Sequence, residues 1–415
     1  MRSLLSLVMI VKDEAANIKD VLASVKPHID RFTIWDTGST DGTQDVVRAA
    51  MEGKPGLLHE EPFIGCSFKD ASHLNHIIDF AATRNRALDL DRFDPCVFQL
   101  VMSADEYLRD GDKLREYLER ERDSKTDCYH VRLLASGDQL YPQRVFRTGS
   151  DWRFEHAIHE VPYNRVDPSA PTAIVPGASI EHIPSDDERR IEAVHEKHIP
   201  VLQAMLAEDP KSEHALRYLA QSLETLLPFC EPGDRITHAM EGMSYYLRRF
   251  QAPDLSDAER NYLKYKYLHL SRFAGVYSPA EVLSRVQEIC EADPHRPEPA
   301  LLRVYAAVAA GVPTVQVHGL AVEAARVARD WSRVGNASPV PTSCEWKAHH
   351  AAAQAAKRLA ERAAKAAAET TEADAPDPRV YADLVRQHVA DGVAAGGPWE
   401  MFKSIVPPAA AETLQ

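Results

Sequence analysis

The sequence predicts an α/β domain with a mostly parallel sheet, followed by an all-α helical-repeat region. Short apolar runs alternate with helical patterns of 10 to 15 residues through residues 1–184, the signature of strands joined by crossover helices. From about residue 185 strand signals fade, and an Asp-Pro junction at Asp209-Pro210 recurs at Asp293-Pro294 among periodic helical segments.

Leu4 to Val11 is an unbroken apolar run, read as a fully buried strand. Ala15 to Val25 is helical, with Ile18, Val21, Leu22 and Val25 at helical spacing. "RFTIWDTGSTDGTQDVV" predicts a short strand ending at Asp36, a Gly/Ser/Thr turn, and a helix capped by Thr40 or Asp41. After "LLHEEPF", the run through "FAATRNRALDL" is helical, "CVFQLVMSADEYL" is a strand, and a helix follows from about Asp112 to Arg122.

With 415 residues, 45% of them hydrophobic and 27% charged, the chain is long enough for more than one core. A net charge of −14 disfavours a general polyanion binder. Cysteines 66, 96, 128, 230, 290 and 344 form no CxxC pair, which predicts reduced thiols in a cytoplasmic protein. The N-terminal "MRSLLSLVMIVKDE" ends its apolar run in Lys-Asp-Glu without a small-residue cleavage site, so a core strand is expected rather than a signal peptide. No later segment approaches the roughly 18 to 20 apolar residues of a membrane helix, and a soluble protein is expected.

In open α/β sheets ligands bind beyond the carboxyl ends of the strands. Three of those ends carry acid, at Asp13-Glu14, Asp36 and Asp105-Glu106, with Arg84 and Asn85 as further polar candidates. That set suits a nucleotide and a hard divalent cation, which takes carboxylate and phosphate oxygens.

"MIVKDEAANI", "IWDTGSTDGT", "ATRNRAL" and "MSADEYL", in this order and spacing, resemble the nucleotide-sugar-binding half of family-two glycosyltransferases with the Rossmann-like GT-A fold. Downstream, "YPQRVFRTGSDWRFEHAIHEVP" and "ASIEHIP" resemble the subgroup with a helical-repeat tail. The resemblance covers roughly Leu4 to Ser222. It implies that Val11, Asp13 and Asp36 line the nucleoside, Asp36 foremost, and that Arg84, followed by Asn85, faces the donor nucleotide.

The family pattern Asp-x-Asp followed by Glu is here Ser103-Ala104-Asp105-Glu106. The resemblance makes Asp105 a ligand of the metal on the diphosphate, manganese or magnesium, and His182 its protein partner. Ser103 and Ala104 then lie at the ribose end, where a serine hydroxyl can donate or accept. Glu160 is the implied base of an inverting transfer, with Glu155 as alternative and His159 as its neighbour. In a regular strand Glu160 and His159 would point to opposite faces.

"HIPVLQAMLAEDPKSEHALRYLAQSLETL" resembles a tetratricopeptide unit, and residues 185–312 are read as such repeats. "RNYLKYKYLHLSRF" interleaves basic and aromatic residues, a composition compatible with nucleic acid, but tyrosines in helical repeats are more often packing residues. Residues 313–415 are read as an Ala-rich helical arm and tail, with "TTEADAPDPR" a linker and "PPAAAETLQ" frayed.

The leading expectation is an inverting glycosyltransferase using a nucleotide diphosphate sugar, UDP-sugar foremost, on a peptide or protein, glycan or modified DNA. The rival is an inactive GT-A protein serving as a helical-repeat scaffold, motivated by Ser103. Nucleotidyl transfer ranks low, since "MIVKDEAANI" lacks the glycines of a phosphate loop.

Overall fold

The computed structural model describes residues 2–65, 78–93, 95–135, 138–182, 188–253, 255–333, 343–369, 378–395, 397, 399–402 and 405. Cys66, most of the "TTEADAPDPR" linker and the "PPAAAETLQ" tail lie outside them. The chain divides into two compact units, Met1–Ala215 and Leu216–Gln415.

In the first unit the elements run β1 (Leu5–Val11), α1 (Ile18–Val25), β2 (Arg31–Asp36), α2 (Thr43–Ala50), β3 (Gly56–Glu60), α3 (Phe80–Asp91), β4 (Phe98–Val101), β5 (Glu106–Arg109) and α4 (Gly111–Arg120). They continue with β6 (Cys128–Ala135), β7 (Asp138–Leu140), β8 (Gln143–Arg147), β9 (Trp152–Glu155), β10 (Val161–Asn164), β11 (Thr172–His182) and α5 (Glu188–Glu208). The result is an α/β unit on a nine-stranded mixed sheet of order β3-β2-β1-β4-β8-β6-β11-β5, with β7 paired to β6.

Strands β3, β2, β1 and β4 run parallel, in the register Val11 opposite Asp36 and Val8 opposite Val101. Strand β8 is antiparallel to both β4 and β6 and separates this block from the parallel β6–β11 pair. That insertion needs no crossover helix, because β7 and β8 return as short antiparallel strands.

The unbroken apolar run of β1 follows from burial on both faces. Leu5, Leu7, Met9 and Val11 enter one core with Ile18, Val21 and Leu22 of α1, Val47 of α2 and Leu114 and Leu118 of α4. Val8, pointing the other way, packs with Trp35, Ala87 and Leu88, Phe146, Trp152 and Phe154. One polar device interrupts this second layer: the fully buried Asp91 at the end of α3 accepts hydrogen bonds from Ser6, Thr33 and Gln99. A serine in β1 thereby anchors the helix across the sheet.

Helix α1 starts at Ile18 rather than Ala15, and other local boundaries also differ from expectation. Helix α2 has Gly42 at its cap position, while Asp41 accepts from the Thr43 amide and hydroxyl. The strand read through "CVFQLVMSADEYL" ends at Val101; a turn follows, and Glu106 opens β5. The segment after β9 is not a strand, because His156 and His159 have φ of 72° and 52° and break the alternation.

The remaining elements are α6 (Glu213–Leu226), α7 (Pro232–Phe250), α8 (Asp257–Ala274), α9 (Pro279–Ala292), α10 (Pro297–Ala309), α11 (Thr314–Arg333), α12 (Ser343–Glu369), α13 (Pro378–Ala394) and α14 (Trp399–Phe402). Helices α8 and α9 start at Ser256 and Ser278, each closing a capping box with a glutamate three residues on. The basic and aromatic run lies on α8 and is used in packing. Tyr265 lies against the α8–α10 core, Lys266 pairs with Glu224, and the Arg296 guanidinium sits 4.2 Å over the Tyr262 ring. The Ala-rich α12 is itself packed: Ala348, Ala351, Ala352 and Ala355 meet α10 and α11. No described helix is long and apolar enough to cross a membrane.

Burial on α8 pushes the His269 imidazole down to about 4 from 6.5, with Glu224 opposing and Lys266, Arg272 and Lys347 adding to the shift. Between those values the unfolded chain binds a proton that the folded chain refuses, so stability present above pH 6.5 is lost as pH falls toward 4. The loss is at most about 3 kcal/mol. Denaturant midpoints at pH 7 and pH 4.5 should separate less in His269→Gln than in the parent; equal separation would exclude His269 as the source.

Candidate functional site

The parallel register sets the carboxyl ends of β1, β2 and β4 along one edge, and the two loops leaving β1 and β2 are laced together there. The Asp13 amide donates to the Ser39 hydroxyl at 2.8 Å, and the Thr40 amide donates to the Asp13 carboxylate at 2.7 Å. Asp13 does this from a φ of 52°, which aspartate tolerates better than most residues. The Val11 side chain lies in the core, and its carbonyl accepts from both the amide and the hydroxyl of Thr37. Val11 and Asp13 therefore shape the cradle.

Asp36 combines a structural role with an open one. Its Oδ1 accepts from the amides of Gly38 and Ser39 and from Gln44, closing an Asx turn. Its Oδ2 is buried and has no hydrogen-bond partner among the described residues. Buried carboxylate oxygens are seldom left so, and a donor group at this edge would satisfy it.

The turn after β4 distributes its residues by function. Ala104 is buried in the core, whereas Ser103 and Asp105 are half-buried. Glu106, almost fully buried, accepts from the Ser103 amide at 2.8 Å and from Arg144 of β8 at 2.5 Å, locking the turn. In the β5–β11 register Glu106 lies opposite His182. Asp105 and His182, 77 residues apart in sequence, consequently meet with Nε2 and Oδ2 at 3.2 Å. The hydrogen bond that the imidazole donates to Asp105 holds His182 above its ordinary value, against the effect of burial.

Two ligand atoms at neighbouring corners of an octahedral ion with bonds of about 2.1 Å lie about 3 Å apart. An imidazole nitrogen and a carboxylate oxygen at 3.2 Å match that spacing.

The other candidates gather around α3. Arg84 donates through Nε and Nη2 to Oε1 of Glu160, at 3.0 and 2.6 Å, and lies 5.1 Å over the Phe154 ring. Its Nη1 is buried without a hydrogen-bond partner among the described residues. Asn85 clamps the Phe154 backbone through both its amide nitrogen and its oxygen, so its part is to hold β9 against α3. Glu155, at the end of β9, pairs with Arg165, just after β10.

His159 meets the edge of His198 at 4.9 Å, and burial pushes the His198 imidazole down to about 4. His156 stacks on His214 at 3.7 Å, and Nε2 of His214 bonds the Ile158 carbonyl at 2.9 Å. Non-glycine residues at positive φ are sparse and gather where function constrains the backbone. Arg144 was missing from the sequence-based candidates although the Tyr-x-x-Arg run contained it; its partner Glu106 is set only by strand pairing.

No family model matches the chain. Over 160 residues, 38% of the chain, it is 33% identical to a TPR repeat-containing protein of Synechococcus elongatus, and the matched stretch spans 34% of that protein. This likeness agrees with a tetratricopeptide-like helical region. The chemistry of the sheet edge rests on the geometry above.

Proposed function

We propose that the first unit is a metal-dependent inverting glycosyltransferase that takes a nucleotide diphosphate sugar, UDP-sugar foremost. The observation that carries the reading is the Asp105–His182 pair at the sheet edge that also holds Asp36. Asp105 and His182 would hold the divalent metal, which supplies Lewis-acid stabilisation of the departing diphosphate. Asp36 accepts from the nucleoside through Oδ2, and Arg84 offers Nη1 to the donor nucleotide. Ser103 meets the ribose through its hydroxyl.

Glu160 serves as base toward the acceptor hydroxyl. Both Arg84 bonds converge on Oε1, so the arginine fixes the carboxylate without occupying Oε2. Glu155, tied to Arg165, is less available. The acceptor is a peptide or protein recruited by the tetratricopeptide-like helices, with glycans and modified DNA as the other classes.

The test is nucleotide release from UDP-, GDP- and dTDP-sugars with manganese or magnesium. One donor should turn over only with metal, and Glu160→Gln should lower kcat about 10²- to 10⁴-fold with little change in donor affinity. No release from any donor by folded protein would refute the reading.

A scaffold reading is favoured by Ser103 and by the TPR repeat-containing relative. It predicts no turnover by the parent and gain of donor binding in Ser103→Asp. An active parent removes it.

A further inference from the structure

A second polar cluster lies wholly within the second unit, among α11, α12 and α13. His318 comes from α11, His349 from α12, and His388 and Asp391 from consecutive turns of α13. His349 is 4% exposed and His388 7%. The alanines of α12 and Gly392 of α13 allow the helices to approach closely: a methyl at Gly392 would lie 3.2 Å from the His349 Cβ.

The proton positions follow from the contacts. Arg329 can only donate, so the bond of its Nη2 to Nε2 of His349, at 3.1 Å, puts the His349 proton on Nδ1. That nitrogen faces Nδ1 of His388 at 3.4 Å, and Nε2 of His388 faces Nε2 of His318 at 3.1 Å. His388 therefore carries its proton on Nε2, donated to His318, and presents the Nδ1 lone pair. This is the usual arrangement of a metal-binding histidine, whose second nitrogen is oriented by an outer acceptor.

One ligand atom each from His349, His388 and Asp391 lie within 4.8 Å of one another. Gln387 bonds Oδ1 of Asp391 at 2.9 Å and steadies the carboxylate. We propose that His349, His388 and Asp391 form a binding site for a divalent transition metal, zinc in the first instance. Two imidazoles and one carboxylate favour zinc, cobalt or nickel over magnesium or calcium, and three protein ligands leave a fourth position for water.

Arg329 opposes occupancy. For Nδ1 of His349 to bind metal, its proton must move to Nε2, where it meets the Arg329 donor, so the guanidinium has to turn away. The site is accordingly weaker than its donor set permits, and Arg329→Gln, which offers an oxygen to Nε2–H, should strengthen it.

The experiment is zinc titration of the full chain after chelator treatment, by calorimetry and by competition with a chromophoric chelator, with cobalt absorption as a reporter of nitrogen and oxygen ligation. Expected is one equivalent bound, weakened at least 100-fold in His388→Gln, at least tenfold in Asp391→Asn, and tightened in Arg329→Gln. Asp105→Ala should leave it unchanged, which separates this site from the sheet edge. Circular dichroism of the metal-free variants checks folding, and half-buried Asp391 tolerates the isosteric amide. No zinc bound by the parent, or binding equal in His388→Gln and Asp391→Asn, overturns the assignment.

Discussion

Asp105→Ala is expected to abolish metal-dependent donor binding and to lower kcat/KM about 10²- to 10³-fold, the loss typical when one group stabilising developing charge is removed. The side chain is 37% exposed and bonded to His182, so thermal stability should stay close to the parent's. Thermal-shift titration with UDP and manganese reads the effect directly: the parent is stabilised by the pair of ligands, the variant by neither. His182→Ala should resemble it, and the double variant should be no worse than the more damaging single one, because two ligands of one ion act as a unit. Glu106→Gln provides the contrast. It weakens the bond to Arg144 and the hold on the Ser103 amide, and should lower stability together with activity. Retention of metal-dependent stabilisation by Asp105→Ala would exclude the edge as the metal site.

The value of this comparison lies in how neighbouring carboxylates divide their work. Asp105 and Glu106 are adjacent in sequence, yet one faces solvent beside His182 and the other is buried under Arg144. Their order was visible in "SADE", but the division between them was not, because β5 pairs with a strand more than 60 residues away. The parallel block was legible for a local reason: β1, β2 and the intervening helix are consecutive, and a continuous apolar run of only 7 residues is too short for a buried helix and reads as a strand covered on both faces. The insertion of β8 between β4 and β6 was not legible, since pairing partners at that separation leave no local trace.

The same limit applies to the histidines. A regular strand would have set His159 and Glu160 on opposite faces, whereas the backbone turns through positive φ at His156 and His159, and histidine is among the residues that enter that region most readily. His349 and His388 sit in an Ala-rich stretch whose low bulk invites the reading of a featureless helix. Low bulk is what brings α12 and α13 close enough for the two rings to touch. Asp36 was read as a ligand-facing acid; its Oδ1 closes an Asx turn, and its Oδ2 keeps the open role.

Replacing Asp91 with alanine should destabilise the first unit by about 3 to 5 kcal/mol, the range for breaking a buried charged network by removing one partner. The carboxylate is fully buried and collects donors from three strands: Ser6 of β1, Thr33 of β2 and Gln99 of β4, with Arg31 at 3.8 Å. Alanine would take this acceptor from the Ser6 and Thr33 hydroxyls, each costing about 1 to 3 kcal/mol when buried without a partner, while Gln99 keeps its bond to the Leu88 carbonyl at 2.9 Å. Asp91→Asn should be milder but still harmful, since its amide nitrogen turns one acceptor into a donor facing donors. For a unit of this size about 2 to 4 °C of melting temperature accompany each kcal/mol, so a fall of roughly 10 °C is expected in the transition of the sheet unit. Denaturant unfolding of the two variants decides it. A loss below about 1 kcal/mol in Asp91→Ala would mean that the three donors find other acceptors, and that α3, which carries Arg84 and Asn85, is held to the sheet by its apolar contacts alone.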